Sequence, residues 1–469
     1  MKKNKLTLWN SVGYGIGSVG ENIAYTVFYN FFLYFLTDLI GISATFAGVI
    51  SFVAVLWDGV TDPAVGYISD NNKSPKGRRR PFILKGCFAL GVAIFFMFTD
   101  LQFLPATFKG VYFLIINMLF WLFLTMTDIP YLALAAEMEA TPQGRTRLRT
   151  IAAACLQGGM LLASAGMLPL ANFFGKDNSL RGWSIAAAIM GACTTVAFLI
   201  SVLATKGLEP ENPNLKKKEN GNEEVSSNAG IKDFIKSMGQ LVKYKPYLIL
   251  LIITFFVWFS ANLQNSALMY FFSNNAGMTD DQISLQYAII GVVCAVLSLV
   301  VGPVTNKFGK KETAFCAFSI TGVLTIIMTF IKPWNITYVY LFRVLSAITL
   351  SIWYVTIYSM VYDISDLDEW ENGVRRDGGM QSMFQFSIKL STAGSMFLVG
   401  ILLDHYGYNA EAAVQTESAL NGIMKLTIFY PGIILLIGVV TICFYPLSNK
   451  RLHEISQLLE KRRKQEVKE

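Results

Sequence analysis

The chain has 469 residues, 53% of them hydrophobic and 15% charged, with 35 phenylalanines and a formal net charge of +7. That balance excludes a soluble multidomain enzyme and points to an integral membrane protein, since a bilayer core about 30 Å thick needs about 20 apolar residues per helix. Backbone satisfaction in lipid then favours a helical bundle, because a barrel would show short alternating segments instead.

Twelve spans are expected, the first at roughly 12–36. The basic N-terminus "MKKNKLTLWNSVGYG" runs into this full-length span without a small-residue cleavage site, so a removed signal peptide is not expected. Glu21 and Asn22 lie within it. The second span, 45–69, carries Asp58 and Asp62, which four-residue spacing puts on one helix face. A basic loop precedes the third span, 81–104, and the fourth, 110–137, holds Thr125 and Asp128 just before Pro130. Spans at 150–173 and 182–205 lead to a polar, charged stretch at 206–245. Six more follow at 246–273, 283–305, 312–331, 335–363, 381–404 and 423–447. The chain thus reads as a six-helix half (1–205), a linker (206–245), a second six-helix half (246–448) and a basic amphipathic tail (449–469) lying along the inner leaflet.

Charge sets the expected orientation. The N-terminus, the even-numbered loops and the tail hold 31 of the 39 lysines and arginines, and the odd-numbered loops hold only Lys109, Lys176, Arg181 and Lys332. By the positive-inside rule both termini face the cytoplasm. The positive balance then reflects topology and contact with anionic lipid, and not nucleic-acid binding. Six scattered cysteines lack metal spacing and read as packing residues. His405 and His453 sit at a helix end and in the tail, and the chain has no HExxH, nucleophile elbow or P-loop, so no enzyme and no nucleotide-driven pump is expected.

The halves carry a repeat. "GYISDNNKSPKGRRRPF" follows the second span and "GPVTNKFGKKETAF" the eighth, pairing Gly66 with Gly302 and Gly77-Arg78-Arg79 with Gly309-Lys310-Lys311. Two related six-helix halves with a midplane site are the plan of the major facilitator superfamily, which rocks one half against the other. The basic loop is shared and reads as architectural. The acids are not shared: Asp58 falls opposite Cys294 and Asp62 opposite Ser298.

Ionisable groups inside the spans are few: Glu21, Asp58, Asp62, Asp128, Arg343 and Lys389. Each costs roughly 2.5–3.5 kcal/mol at a helix centre on insertion scales, so each needs a partner, water or a bound ion. All but Arg343 lie at a similar depth, roughly 10–17 Å from the inner ends of their spans at 1.5 Å per residue. Four carboxylates against one lysine leave surplus negative charge, which a proton or a monovalent cation with hard oxygen ligands would resolve. Asp58, Asp62, Thr125 and Asp128 are therefore the expected cation site. Blander readings stand beside this one: Asp62 as a loop-edge acid, Asp128 as the cap of a kink at Pro130, Lys389 as a structural counter-ion, and Trp353 as packing. Arg343 is expected to snorkel or to pack in the bundle.

Three blocks carry a family likeness: "WDGVTDPAVGYISD…KGRRRPFIL", "TDIPYLALAAEM…GRTRL" and "MVYDISDLDEW…GVRRDGGMQSMFQFSIKLSTAGS". They resemble the glycoside-pentoside-hexuronide:cation symporters, the family of the melibiose permease, from about Trp9 through the tail. The resemblance implies uptake of a sugar or glycoside coupled to Na⁺, H⁺ or Li⁺, with no other cofactor and no metal beyond the coupling ion. It implies cation binding at Asp58 and Asp62 with Thr125 and Asp128 beside them, and substrate contacts from Glu21, Asn22, Asp128, Asn262, Trp353 and Lys389. Gly66, Asp70, Gly77, Arg78, Arg79, Arg149, Asp363, Asp366 and Arg375 are the inner-loop positions expected to govern conformational state. The chain departs from the melibiose permease at three places: Glu21-Asn22 replaces Lys-Asp on the first helix, Leu132 replaces a sugar-stacking tryptophan, and Ala152 stands at an arginine position with Arg149 nearly one turn away. Another glycoside is therefore expected as substrate.

The expectation is a monomeric, twelve-helix symporter of the cytoplasmic membrane, in contact with lipid and a small sugar. Its rivals are a carrier of a lysolipid or other amphiphile and a membrane sensor that keeps the fold without turnover.

Overall fold

A computed structural model describes residues 7–208 and 241–459, apart from positions 71, 73, 75–76, 100, 102–104, 139–141, 177–178, 242, 374–376, 413, 448–450, 453 and 456. The expected linker and tail helix fall largely outside the described residues, as does His453.

The described residues form helices throughout. The first is α1, Leu8–Val27, prolonged by π-helical turns at Phe28–Phe32 and Phe35–Leu39. Then come α2 (Ala44–Asp70), α3 (Arg80–Met97), α4 (Ala106–Met138), α5 (Pro142–Phe174) and α6 (Ser179–Ala204). The second half contains α7 (Lys245–Asn275), α8 (Asp280–Phe308), α9 (Lys310–Met328), α10 (Ile336–Asn372), α11 (Asp377–His405) and α12 (Glu417–Cys443). Eleven of these carry stretches long and apolar enough to cross a membrane, which makes the protein a multi-pass membrane protein. The first falls short of that measure because glycines and polar residues interrupt it ("SVGYGIGSVGEN"). Several helices outrun their expected spans. Thus α5 begins at Pro142 and α10 continues to Asn372, since the membrane-facing helix carries on into polar sequence until a cap ends it. Gly373 does this for α10 in a left-handed conformation (φ 68°).

The repeat extends beyond the basic loop. The offset relating Gly66 to Gly302 also relates Gly41 to Gly277, both at positive φ (78° and 57°), and the π turn Phe35–Leu39 to the π turn Phe271–Asn275. Both halves therefore end their first helix with the same widened turn and the same glycine reversal.

The described residues separate into two compact units. One comprises those within 1–224 together with 278–291 and 396–416; the other comprises those within 225–277, 292–395 and 417–469. In unit 1, α1 packs on α5 and α6, α2 on α4, and α3 on α4 and α6. In unit 2, α7 packs on α12, and α9 on α12 and α10.

The 396–416 stretch of unit 1 is tied to α1 and α2 by polar contacts. Asp404 accepts hydrogen bonds from the backbone N–H groups of Thr45 (2.8 Å) and Ala44 (3.2 Å), capping the N-terminus of α2. Tyr408 donates to Asp38 Oδ1 at 2.5 Å, and Thr37 Oγ1 to Asp38 Oδ2 at 2.6 Å. Asp38 thus ties the last turn of the first helix to the 396–416 stretch.

Candidate functional site

Two turns of α2 and one of α4 build the site in unit 1. Asp58 and Asp62 are successive residues of one α2 face, and the packing of α2 on α4 brings Thr125 between them. Thr125 Oγ1 lies 2.6 Å from Asp58 Oδ1 and 3.1 Å from Asp62 Oδ1. Asp58 and Thr125 are each only 2% exposed, which puts the contact out of reach of bulk water.

The chemistry of this triad is that of one hydroxyl shared by two acids. A threonine hydroxyl has a single proton, and ionised carboxylates only accept. Thr125 can satisfy one of its two carboxylate neighbours, so the second close oxygen pair calls for a proton on one acid or a cation among the oxygens. Two carboxylates and a hydroxyl are hard donors, suited to a proton or an alkali cation.

Asp128 lies on the same helix as Thr125. Three residues beyond Thr125 on α4, it is buried and receives the hydroxyl of Tyr25 on Oδ2 at 3.4 Å. Among the described residues no group of three or more His, Cys, Asp or Glu is arranged as a metal site. Glu21 is buried one turn before Tyr25 and has Tyr25 and Tyr131 as electrostatic neighbours. Asn22 is half-buried, its side-chain oxygen accepting from Thr26 at 2.9 Å. Tyr131 follows Pro130 and knits α4 to α1: its hydroxyl donates to the Tyr14 carbonyl at 2.7 Å, and the two rings stack at 4.6 Å.

Aromatic side chains that sequence reasoning passed over surround these acids. Tyr25 stacks on Tyr29 (5.9 Å) and meets Trp121 (5.9 Å), and Trp121 meets Phe28 edge-on (5.1 Å). Helical spacing was the available signal, since Tyr25 is four residues after Glu21 and Trp121 four before Thr125.

Unit 2 holds a second polar and aromatic group. Trp353, in the π turn of α10, is buried behind the half-buried Trp258 of α7, with ring centroids 4.1 Å apart. The two indoles form one aromatic pair, Trp353 fully buried and Trp258 half-buried. Trp258 Nε1 donates to Thr392 Oγ1 at 3.1 Å, and Asn262 Nδ2 to the Trp258 carbonyl at 2.9 Å. Lys389 is half-buried one turn before Thr392 on α11. Arg343 is buried within the same unit near Cys294 and packs rather than snorkels. At the positions equivalent to the acids, Ser298 merely donates to the Cys294 carbonyl at 2.8 Å. A small polar cavity between α7, α9, α10 and α12, about 30 Å³ and lined by Ser260, Gln264, Thr325 and Thr349, suits water and not a sugar ring.

The inner-loop positions are placed in part. Gly77 takes φ 105°, the Arg78 carbonyl accepts from Asn72 (2.9 Å), and buried Arg79 donates to Ser69 Oγ (2.8 Å), tying the loop to the end of α2. In unit 2 Lys310 pairs with Asp363 at 2.7 Å. Gly66 has ordinary clearance, its nearest neighbour being Ile129, and Asp366 is half-buried. Arg375 and the side chains of Asp70 and Arg149 lie outside the described residues.

Comparison with known proteins agrees with this architecture. The profile of the MFS/sugar transport protein family matches residues 13–449. An uncharacterized symporter of Bacillus subtilis (strain 168), YjmB, is 30% identical over 464 residues, covering 97% of this chain and 96% of its own. A putative sulfoquinovose importer of Escherichia coli (strain K12) is 25% identical, covering 99% and 96%. Among solved structures, a bacterial homolog of the human lysosomal transporter Spinster superposes with a TM-score of 0.68 at 13% identity, covering 93% of this chain and 95% of the other; at that identity it speaks to fold alone. The chain belongs to the MFS/sugar transport protein family, whose members are transporters and not enzymes.

Proposed function

We propose that the protein is a secondary active transporter that couples uptake of a sugar or glycoside to inward movement of Na⁺ or H⁺ by alternating access. The observation that carries this reading is the Asp58–Thr125–Asp62 triad, in which one threonine hydroxyl lies within hydrogen-bond reach of two carboxylates, with Asp58 and Thr125 buried and Asp62 half-buried. An inward cation gains roughly 2.3 kcal/mol per 100 mV of membrane potential, which is enough to drive a solute uphill when the two bind cooperatively. Glu21, Asn22 and Asp128 in unit 1, and Asn262, Trp353 and Lys389 in unit 2, are the groups suited to sugar hydroxyls and ring faces. The proposal places a monomer in the cell membrane with both termini cytoplasmic, in keeping with the loop charge pattern.

The test is uptake by the purified protein in proteoliposomes, with a panel of sugars and glycosides under imposed Na⁺, Li⁺ and H⁺ gradients. Accumulation of one of them above the external concentration is expected with one cation and not with a choline control. Equilibration regardless of gradient would make the protein a uniporter. Flux of a lysolipid in place of every sugar would make it an amphiphile carrier, and binding without flux would make it a sensor.

A further inference from the structure

We infer that Tyr25 is a positioning residue that transmits occupancy of the Asp58–Thr125–Asp62 site to the aromatic group of unit 1. The inference rests on the proposed cation coupling and names the residue that would carry it.

Tyr25 of α1 reaches both features. Its hydroxyl donates to Asp128 Oδ2 at 3.4 Å, and Asp58 and Glu21 are further electrostatic neighbours of the same hydroxyl. Its ring lies against Tyr29 and Trp121, both at 5.9 Å. Trp121 sits one α4 turn before Thr125, which touches both acids of the triad. Tyr25 therefore meets α4 on both sides of Thr125: at its polar end Asp128, three residues after it, with Asp58 a further electrostatic neighbour, and at its apolar face Trp121, four residues before it.

At 3.4 Å the contact is longer than a normal O–H···O bond, which spans about 2.5–3.0 Å, and has room to tighten or to break. A proton or cation arriving at Asp58 and Asp62 lowers the negative potential felt at Asp128 and at the Tyr25 hydroxyl together. The balance holding the hydroxyl changes, and the ring shifts against Tyr29 and Trp121. Such a shift alters the surface presented by Glu21 and Asn22, which occupy the preceding turn of the same helix. In this way a cation that makes no contact with sugar changes the groups that do, which is what a coupling free energy between two sites requires. The groups facing the hydroxyl are Asp128 from α4, Asp58 from α2, and Glu21 and Tyr29 from α1 itself.

The experiment uses the full-length protein in nanodiscs and needs no knowledge of the sugar. Sodium-22 equilibrium dialysis measures Na⁺ binding, and a NaCl titration against choline chloride follows tryptophan fluorescence, with a pH titration as the proton arm. In the parent a saturable fluorescence change is expected that is lost in Trp121→Phe. Tyr25→Phe keeps the ring and removes the donor; it should bind Na⁺ or the proton within about twofold of the parent yet lose at least about fourfold of the fluorescence amplitude. Tyr25→His, which keeps a donor, should restore part of it. A full-amplitude signal in Tyr25→Phe would overturn the assignment. Loss of cation binding in that variant would also overturn it, by making Tyr25 part of the site itself. Absence of both Na⁺ and proton binding in the parent would instead remove the coupling reading beneath it.

Discussion

Asp58→Asn and, separately, Asp62→Asn will abolish gradient-driven accumulation, lowering it by about a hundredfold, while leaving sugar binding partly intact. Asparagine keeps the shape of the side chain and can still accept from the Thr125 hydroxyl at 2.6 Å or 3.1 Å. What it loses is the charge. An interaction with a charged group in a water-excluded setting is worth about 1.5–3 kcal/mol, which is a factor of about 10 to 100 in affinity. The cation should therefore bind too weakly to be carried, and uphill transport fails with it. Thr125→Val, which removes a neutral ligand and not a charge, should weaken cation affinity by about tenfold and spare some accumulation. The check is accumulation in proteoliposomes beside sugar binding to the purified variants. Parent-level accumulation in both asparagine variants would remove the triad from the coupling mechanism.

The second large effect is steric. Gly159 of α5 faces the backbone of Val19 on α1, where a Cβ would stand 2.4 Å from the Val19 carbonyl oxygen and 2.9 Å from its Cα. Backbone cannot swing aside as a side chain can, so α1 must move. Overpacking of this kind costs about 1–3 kcal/mol or more, and here it would displace the helix that carries Glu21, Asn22 and Tyr25. Gly159→Ala should lower the apparent melting temperature by several degrees and reduce transport by at least about tenfold; Gly159→Leu should leave little folded protein. Gly158 is the control. A Cβ there meets nothing within 4 Å, so Gly158→Ala should be neutral or slightly stabilising, because alanine is the better helix former. Fluorescence-detected size-exclusion melts of the pair decide the matter. Equal melting temperatures for the two alanine variants would contradict the close helix contact.

The legibility of the sequence was uneven, for physical reasons. Helical spans could be read because lipid demands long apolar runs, and the family could be read because three polar blocks interrupt those runs. The first helix was legible by its position more than by its hydropathy, since its glycines serve close packing on α5 and α6. The i, i+4 spacing of Asp58 and Asp62 announced a shared face, but the meeting of that face with Thr125 depended on how α2 crosses α4, which no local pattern encodes. The same limit hid Tyr25 and Trp121. Each is an aromatic among many in a chain with 35 phenylalanines, and only packing shows which ones stand beside an acid. Trp353, prominent in the sequence, pairs with Trp258, which no sequence pattern singled out. The docking of 396–416 with α1 and α2 in unit 1 had no signal in the sequence at all, because Asp404 and Asp38 look like ordinary loop-edge acids.

The central claim is that Asp58, Thr125 and Asp62 hold the coupling cation. Its most direct test is the ratio of cation to sugar flux, obtained from the membrane potential at which net sugar movement into proteoliposomes reverses under fixed gradients. A fixed, non-zero ratio is predicted for the parent, with loss of all potential-driven sugar movement in Asp58→Asn. Sugar movement that ignores both potential and cation gradient in the parent, or an unchanged reversal potential in Asp58→Asn, would contradict it.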